Sequence, residues 1–468
     1  MTRLGTWLLN LAYLALLIAA SPWIAWTAWR TGKHREGFAA KLLGRVPQRT
    51  GDRPCVWLHA VSVGEVNLLA TTLAELSRQR PEWEIVISTT TKAGFDLARK
   101  KYADRAVFYC PLDFSWATAA AMRRVRPTLL VLAELELWPN LIGAAKRQAV
   151  RVAIINGRLS DNSFRGYRRL RPLVARVLRQ VDLIAAQNEE TAERFRQLGA
   201  RPAAVHATGS LKFDGAQTDR NNPRTAELRR LAGLGPDDPV ILFGSTQAPE
   251  EEYALAAYRR LAPSRPGLRL ILVPRHPERF DEVAALLDRS GVAWQRRSGL
   301  APAMHSIAAN GLPADEASPS EQTFNASPGS RDAMHRRGAA PILLVDTIGE
   351  LGAWWGAATV GFVGGSFGSR GGQNMLEPAA YGAATCFGPN TWNFRDIVGQ
   401  LLAVDGAAVV RDAEELEAFI RRALDDPSWA AALGTRARQL VLSQQGATRR
   451  TAALLCELDG HCAGRQAA

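Results

Sequence analysis

The sequence has 468 residues, 47% hydrophobic and 22% charged, so it is long enough for two domains and apolar enough to build a core in each. This composition excludes a disordered protein, and five cysteines without metal-ligand spacing argue against a disulfide framework or a zinc site. The formal net charge of +13 favours anionic partners, among which are nucleic acid, acidic membrane and phosphorylated substrates.

Residues 4–29 form the first predicted element, an apolar helix without a charged residue. About 20 apolar residues span a bilayer, and tryptophans near both ends are typical of membrane interfaces. The basic stretch 30–49 follows and predicts that the rest of the chain is cytoplasmic. The alternative is a signal peptide cleaved near "IAAS" (18–21), but the basic flank after the apolar run favours a retained anchor at residues 1–30.

Short, near-continuous apolar runs then alternate with helix-like segments, a pattern typical of parallel strands buried on both faces. The runs of the first half lie at 55–61, 84–89, 106–112, 128–134, 152–156 and 183–187. A polar stretch at 209–225 predicts a linker. The alternation resumes at 240–245, 268–273, 342–346, 359–365 and 384–388.

We therefore predict an α/β protein with two Rossmann-like, doubly wound domains, at 31–208 and 226–468, that face a cleft. Ligands of such sheets bind beyond the carboxyl ends of the strands, so residues at strand ends are the candidates for function. Residues 295–340 are rich in Ala, Ser, Pro and Gly without periodicity, and we expect a disordered insertion there.

Three acids follow strand ends in the first half. Glu65 comes after "WLHAV" at the predicted start of a helix, and Glu134 and Glu136 lie in "ELELWPN". An acid in a first helical turn is stabilised by the helix dipole, which is a sufficient structural reason for each. The functional interpretation of Glu65 is a general base for a hydroxyl group. Spacing alone favours neither this interpretation nor the structural one. His59 is more often a structural histidine than a catalyst.

The stretch "GFVGGSFGSRGGQNMLEPAAYG" (361–382) predicts a strand, a glycine-rich loop and a helix beginning near Asn374. Glycines such as Gly365 let the backbone approach a ligand, and Glu377 could hold a ribose diol. The stretch is neither a Walker loop nor a GxGxxG motif, and tight packing alone could explain the glycines. The density of Gly, Asn and Glu favours a nucleotide site.

Cationic residues also occur at strand ends and at the domain junction. Arg275 and His276 follow the run at 268–273, and Lys212 lies in "GSLKFD". Each could neutralise a phosphate or a carboxylate, although a single cation after a strand is usually solvated or ion-paired. We place Ser245, which ends "VILFGS", with this donor-side group. No DxD motif is present, so we expect no metal.

Taken together, these motifs resemble the bacterial 3-deoxy-D-manno-octulosonic acid (Kdo) transferases, glycosyltransferase family 30. The resemblance rests on "HAVSVGE", "ELELWPNLI", "NGRLSDNSFRGY", "GSLKFD", "VPRHPERF", "DTIGEL", "GGSFGSRGGQNMLEPAAYG" and "NFRDI", in the family's order. It implies a membrane-anchored GT-B enzyme of the inner membrane, with its catalytic domains on the cytoplasmic face. The implied reaction transfers Kdo from CMP-Kdo, with inversion, to the lipid A precursor lipid IVA.

By this resemblance, Glu65 matches the base, Glu134 or Glu136 matches the acid of an ETE-W-P-N motif, and Lys212, Arg275, Asn374 and Glu377 match donor-binding motifs. The chain has Gln373 where the family usually has a histidine, which affects donor contacts more than the reaction class. The implied partners are CMP-Kdo, the lipid acceptor and an anionic membrane surface, without nucleic acid and without a cofactor.

Two alternatives remain open. A different GT-B transferase or epimerase would use a UDP-sugar, and protection by CMP but not UDP would separate it from a Kdo transferase. A membrane-anchored nucleic-acid-binding protein would explain the +13 charge, but no aromatic stacking platform is interleaved with the basic residues.

Overall fold

The computed structural model describes residues 3–31, 36–300 and 340–463. The chain forms two compact units. The first unit comprises Met1–Gly215 and Gln444–Ala468, and the second comprises Ala216–Ser443. Of the stretch 295–340, which we expect to be an insertion, residues 301–339 lie outside the described residues.

The first unit contains a parallel sheet of seven strands in the order β3-β2-β1-β4-β5-β6-β7. The strands are β1 (Cys55–His59), β2 (Glu84–Thr89), β3 (Val107–Tyr109), β4 (Leu129–Ala133), β5 (Arg151–Gly157), β6 (Leu183–Ala186) and β7 (Val205–Ala207). Every residue of β1 and β4 is buried, because helices cover both faces of the sheet. This accounts for the near-continuous apolar runs in the sequence.

Ten helices belong to the described part of the first unit. They are α1 (Arg3–Thr31), α2 (Phe38–Leu43), α3 (Val63–Gln79), α4 (Lys92–Lys101), α5 (Ser115–Val125), α6 (Pro139–Arg147), α7 (Asp161–Arg169), α8 (Arg171–Leu178), α9 (Glu189–Gln197) and the chain's last described helix, α18 (Ala447–Ala463). Helix α18 returns to the first unit and packs on α3, where Leu455 joins the core cluster that contains Leu58 and Leu76.

Helix α1 is long and apolar enough to cross a membrane: residues Gly5–Thr27 have a mean hydropathy of 1.8, and little of this stretch is buried. Two polar residues of α1 nevertheless form hydrogen bonds with other parts of the first unit. Asn10 is buried, donates to Ser115 Oγ (2.8 Å) and accepts from the Ser115 amide (3.0 Å). Tyr13 donates to the buried Asp113 (3.2 Å). The helix therefore has one face fixed to the domain and a broad apolar surface left exposed.

The second unit contains another parallel sheet of seven strands, in the order β10-β11-β9-β8-β12-β13-β14. The strands are β8 (Val240–Thr246), β9 (Arg269–Pro274), β10 (Trp294–Arg296), β11 (Ile342–Leu344), β12 (Val360–Val363), β13 (Ala384–Phe387) and β14 (Ala408–Val409). Its helices are α10 (Pro223–Leu231), α11 (Glu250–Leu261), α12 (Phe280–Ser290), α13 (Leu351–Trp354), α14 (Leu376–Tyr381), α15 (Arg395–Ala403), α16 (Ala413–Asp425) and α17 (Pro427–Gln444).

Two parallel α/β sheets and an apolar N-terminal helix confirm the predicted fold class. In each unit the first strand, β1 or β8, lies where the strand order reverses, between β2 and β4 or between β9 and β12. This reversal is the position at which doubly wound sheets bind ligands. Helix α14 begins at Leu376, close to the predicted start near Asn374.

Candidate functional site

The three candidate acids of the first unit meet at the carboxyl edge of its sheet, where β1 and β4 are neighbours. His59 of β1 pairs in register with Leu132 of β4. Glu65 lies in the first turn of α3, which follows β1, and Glu134 follows β4 directly. The reversal of strand order therefore brings together residues that are far apart in sequence.

Local hydrogen bonds fix the Glu65 carboxylate. The Ser62 hydroxyl caps α3 by accepting from the Glu65 amide (3.3 Å), and it donates to Glu65 Oε1 (2.8 Å). The Val61 amide donates to Glu65 Oε2 (2.8 Å). This arrangement is a variant of the capping box, in which the glutamate reaches back toward the start of its own helix. The side chain is half-buried, so it is held in place and still partly open.

The three carboxylates repel one another. Burial raises the pKa of Glu65; the Val61 amide and the Ser62 hydroxyl oppose this, and the Glu134 charge adds to it. Burial also raises the pKa of Glu136 to about 7, and the charges of Glu65 and Glu134 contribute. Such a cluster holds a proton near neutral pH, which is a property of acid–base sites.

Glu134 also carries backbone strain. Its φ is 58°, in the left-handed region that residues other than glycine rarely adopt, and its amide donates to the Ile155 carbonyl (2.9 Å). Strain of this kind costs about 1–3 kcal/mol and clusters at functional sites. It turns the chain sharply after β4 and leads it into the segment that carries Glu136.

His59 is the last residue of β1 and is fully buried. Its Nδ1 is 2.9 Å from Ser88 Oγ, and burial lowers its pKa to about 4. The Trp57 indole also donates to Ser88 Oγ (2.7 Å). His59 is therefore neutral at physiological pH and belongs to a polar link between β1 and β2.

Lys212 is exposed and belongs to the first unit, whereas the other donor-side candidates belong to the second. The backbone just before it is fixed by Asn156, whose side-chain oxygen accepts from the Leu211 amide (3.1 Å). Asn156 itself has a positive φ of 53° at the carboxyl end of β5.

In the second unit, the glycine-rich loop after β12 is anchored by a residue that the sequence analysis did not single out. Glu250 is 1% exposed and accepts from four backbone amides. Its partners are Gly365 (2.8 Å), Gln247 (2.9 Å), Ser366 (3.0 Å) and Phe367 (3.2 Å). Burial raises the pKa of Glu250, and these amides oppose the increase. The available signal was an acid four residues after a strand end, in the first turn of the next helix.

The same loop passes very close to the end of β8. A Cβ on Gly364 would lie 2.6 Å from the Ser245 carbonyl oxygen, so only glycine fits there. Gly365 has a φ of 68° and Ser245 a φ of 57°. The two strand ends therefore bring Ser245 and Gly365 together, as a site built from backbone groups requires.

Asn374 and Glu377 form a pair beside this loop. The Asn374 side-chain amide donates to Glu377 Oε1 (3.0 Å). Burial raises the pKa of Glu377, while the Asn374 amide and the positive charge of Arg275 lower it. Arg275 is exposed just after β9, so the structure places these three candidates near one another. His276 instead faces its own segment, with Nδ1 3.8 Å from Glu278.

Within residues 3–31, 36–300 and 340–463, no group of three or more His, Cys, Asp and Glu side chains is arranged to hold a metal ion. The expectation of a metal-free reaction stays a prediction.

Comparison with known proteins extends these findings. The family model for 3-deoxy-D-manno-octulosonic-acid transferase (kdotransferase) matches residues 33–215. The 3-deoxy-D-manno-octulosonic acid transferase of Bordetella pertussis is 33% identical over 462 residues, which cover 96% of this chain and 97% of the relative. The transferase of the same description from Haemophilus influenzae is 31% identical over 402 residues and 86% of each chain.

Among solved structures, the UDP-GlcNAc 2-epimerase from Neisseria meningitidis bound to UDP-GlcNAc aligns with 86% of this chain and 100% of its own, with a TM-score of 0.52 and 10% identity. At that identity the likeness concerns the fold alone, and it supports the GT-B class. The sequence relatives establish the family. The chain belongs to the 3-deoxy-D-manno-octulosonic acid transferase family and is a glycosyltransferase.

Proposed function

We propose that the protein is an inverting glycosyltransferase that moves Kdo from CMP-Kdo to a hydroxyl group of the lipid A precursor lipid IVA, in lipopolysaccharide biosynthesis. The observation that carries the proposal is Glu65, a half-buried carboxylate with a raised pKa at the point where the strand order of the first unit reverses. The family membership of the chain supports the choice of the sugar.

Glu65 acts as the general base. It accepts the proton of the acceptor hydroxyl while that oxygen attacks the anomeric carbon, and the bond from this carbon to the phosphate oxygen of CMP breaks. The electron pair leaves with CMP, and the anomeric centre inverts. General-base catalysis contributes about 10²–10⁴-fold, and a carboxylate with a raised pKa accepts a proton more readily than an ordinary one. Glu134 and Glu136 keep the pKa of the cluster high and orient the acceptor.

The second unit binds the donor. The chain at Ser245 and Gly365 packs against the nucleotide, Asn374 and Glu377 hold the ribose, and Arg275 neutralises the donor's acidic groups. We also assign His276 and the first unit's Lys212 to donor binding, as the sequence motifs predict. Because CMP is a good leaving group, charge neutralisation by these side chains replaces a metal ion.

Helix α1 anchors the enzyme in the inner membrane, with both units on the cytoplasmic face. The apolar stretch Gly5–Thr27 supports this placement, and so does the excess of Lys and Arg over residues 30–49. An anchored enzyme meets an acceptor that is itself a membrane lipid.

The test is incubation of the full-length protein with CMP-Kdo and lipid IVA in detergent, followed by mass analysis. We expect one or more Kdo units on the lipid, and the same yield in EDTA. The second candidate is a UDP-sugar enzyme of the same fold. Thermal stabilisation by UDP but not by CMP, with no transfer from CMP-Kdo, would establish that candidate and refute ours.

A further inference from the structure

A large apolar cavity lies in the first unit, between helix α1 and the carboxyl edge of the sheet. Its volume is about 900 Å³. Leu17 and Ile24 of α1 form one wall, and Phe38 and Leu42 of α2 contribute a second, while Leu112 closes the far side. We call this cavity the α1 groove. Cavities of this size hold whole ligands, and its lining suits a hydrocarbon.

The polar groups of the α1 groove are concentrated around Tyr109. Lys41 Nζ lies 4.2 Å from the centre of the Tyr109 ring, and Lys92 Nζ lies 2.7 Å from Glu36 Oε1. Lys92 also lies 3.5 Å from Asp96, and both of these exposed pairs are worth little, so an incoming anion can compete with the two carboxylates for Lys92. The groove thus combines a hydrocarbon lining with two ammonium groups, which matches a lipid that has an anionic headgroup.

Two hydrogen bonds, both made by Val61, connect the α1 groove to the candidate base. Thr91, which lines the groove, donates from its hydroxyl to the Val61 carbonyl (3.1 Å). The amide of the same Val61 donates to Glu65 Oε2 (2.8 Å). The lining of the groove therefore contacts the segment that carries Glu65.

We propose that the α1 groove binds an acyl chain of the lipid acceptor, so that the membrane helix forms one wall of the acceptor site in addition to anchoring the enzyme. The proposal rests on the proposed function. It is favoured over simple anchoring because the groove is walled on its other sides by α2 and by the carboxyl edge of the sheet, close to Glu65. The exposed apolar surface of α1 lets the chain enter directly from the bilayer.

The first experiment narrows the α1 groove. Ala25 is exposed and lines it, whereas Ala19 is exposed on α1 outside its lining. We expect Ala25→Trp to raise KM for lipid IVA about tenfold, because a few methylene contacts are lost, and to leave KM for the deacylated sugar acceptor unchanged. Ala19→Trp, the matched control, should change neither. Equal effects of Ala25→Trp on both acceptors, or no effect on either, would overturn the proposal.

The second experiment does not depend on turnover. Lipid IVA with a diazirine in its acyl chain is irradiated with the full-length protein in phosphatidylcholine vesicles, and labelled peptides are mapped. We expect label at residues 90–93, which lie outside α1, and loss of that label in Ala25→Trp but not in Ala19→Trp. Labelling without sugar transfer would refute the proposed function and leave the groove standing; transfer without label at 90–93 would refute the groove alone.

Discussion

Glu65 and Glu250 occupy equivalent places in the two units. Each lies in the first turn of the helix that follows the first strand, at the point where the strand order reverses. Their environments differ sharply. Glu65 is half-buried and accepts from the Val61 amide and the Ser62 hydroxyl, whereas Glu250 is 1% exposed and accepts from four backbone amides.

An ionised carboxylate has about four acceptor positions. Glu250 uses all four to join the start of α11 to the glycine-rich loop, so it has no capacity left for a substrate proton. Glu65 accepts only from the short segment Val61–Ser62, which leaves part of its capacity free, and its neighbours are other acids. A glutamate in a first helical turn is therefore a candidate base when its carboxylate keeps free acceptor positions. It is a structural anchor when backbone amides occupy all of them.

Removing the Glu65 carboxylate is the most direct test of its role as the base. We expect Glu65→Gln to lower kcat about 10²–10⁴-fold, because an amide cannot accept the hydroxyl proton. The amide can still bond to the Val61 and Ser62 segment, so the fold and the affinity for CMP should be unchanged. The measurements are steady-state transfer of Kdo and calorimetric titration with CMP.

The matched control is Glu75→Gln on the same helix, where the carboxylate pairs with Arg78 away from the acidic cluster. It should leave the rate within about twofold, because Glu75 bonds to Arg78 and Gln79 of its own helix and not to the acidic cluster. Near-normal turnover of Glu65→Gln would show that Glu65, like Glu250, is only a helix-start acid.

Glu250→Gln tests whether Glu250 is a structural anchor of the glycine-rich loop. The amide group would turn an N–H donor toward backbone donors, and at least one buried amide would lose its partner, at a cost of about 1–3 kcal/mol in the free energy of unfolding. We expect weaker binding of CMP with kcat at saturating donor largely retained. Chemical denaturation and titration with CMP measure the two effects.

Glu252→Gln, an exposed neighbour on α11, is the control and should change neither quantity by more than a few tenths of a kcal/mol. If Glu250→Gln instead lost turnover while its stability and CMP affinity stayed normal, Glu250 would be a catalytic group and the comparison would fail.

Much of the fold follows from the sequence because buried parallel strands read as near-continuous apolar runs. The run at 55–61 contains β1 and the run at 240–245 covers all but the last residue of β8, and Glu65 could be placed at a strand end for the same reason. Glu250 could not be recognised, because its four partners come from Gln247 and from a loop more than a hundred residues later. Acids such as Glu65 and Glu250 look alike until their partners are known.

Two other features were beyond sequence patterns. Asn10 interrupts the apolar run of α1, and the structure gives its side chain two hydrogen bonds to Ser115. Helix α18 follows the second unit in the chain but packs on α3 of the first. Amphipathic periodicity predicts that a helix is buried on one side, but it does not identify the surface that covers it.

The third prediction concerns Glu136 and the pH dependence of the free energy of unfolding. Its pKa is raised from 4.5 to about 7. Between these two pH values the folded state holds a proton that the unfolded state has released. The folded state carries no penalty below pH 4.5, loses stability as the pH rises toward 7, and carries the full penalty above it. Because the side chain is partly exposed, we expect Glu136→Gln to stabilise the protein at pH 8 by about 1–2 kcal/mol.

At pH 4 the advantage of Glu136→Gln over the wild type should disappear, since both side chains are then neutral. Denaturation at both pH values measures the difference. An equal effect of the substitution at pH 4 and at pH 8 would indicate a change in packing rather than relief of charge repulsion.

The smallest expected effect concerns how the acidic cluster tunes Glu65. The charge of Glu134 contributes to the raised pKa of Glu65, so Glu134→Gln should lower that pKa. The ionised base then persists to lower pH, and the acidic limb of the profile of kcat/KM against pH should move to lower pH. Glu75→Gln, outside the cluster, should leave the limb in place. A limb that stays in place in Glu134→Gln would mean that Glu134 does not act on Glu65 through its charge, and that the unsaturated carboxylate owes its raised pKa to burial alone.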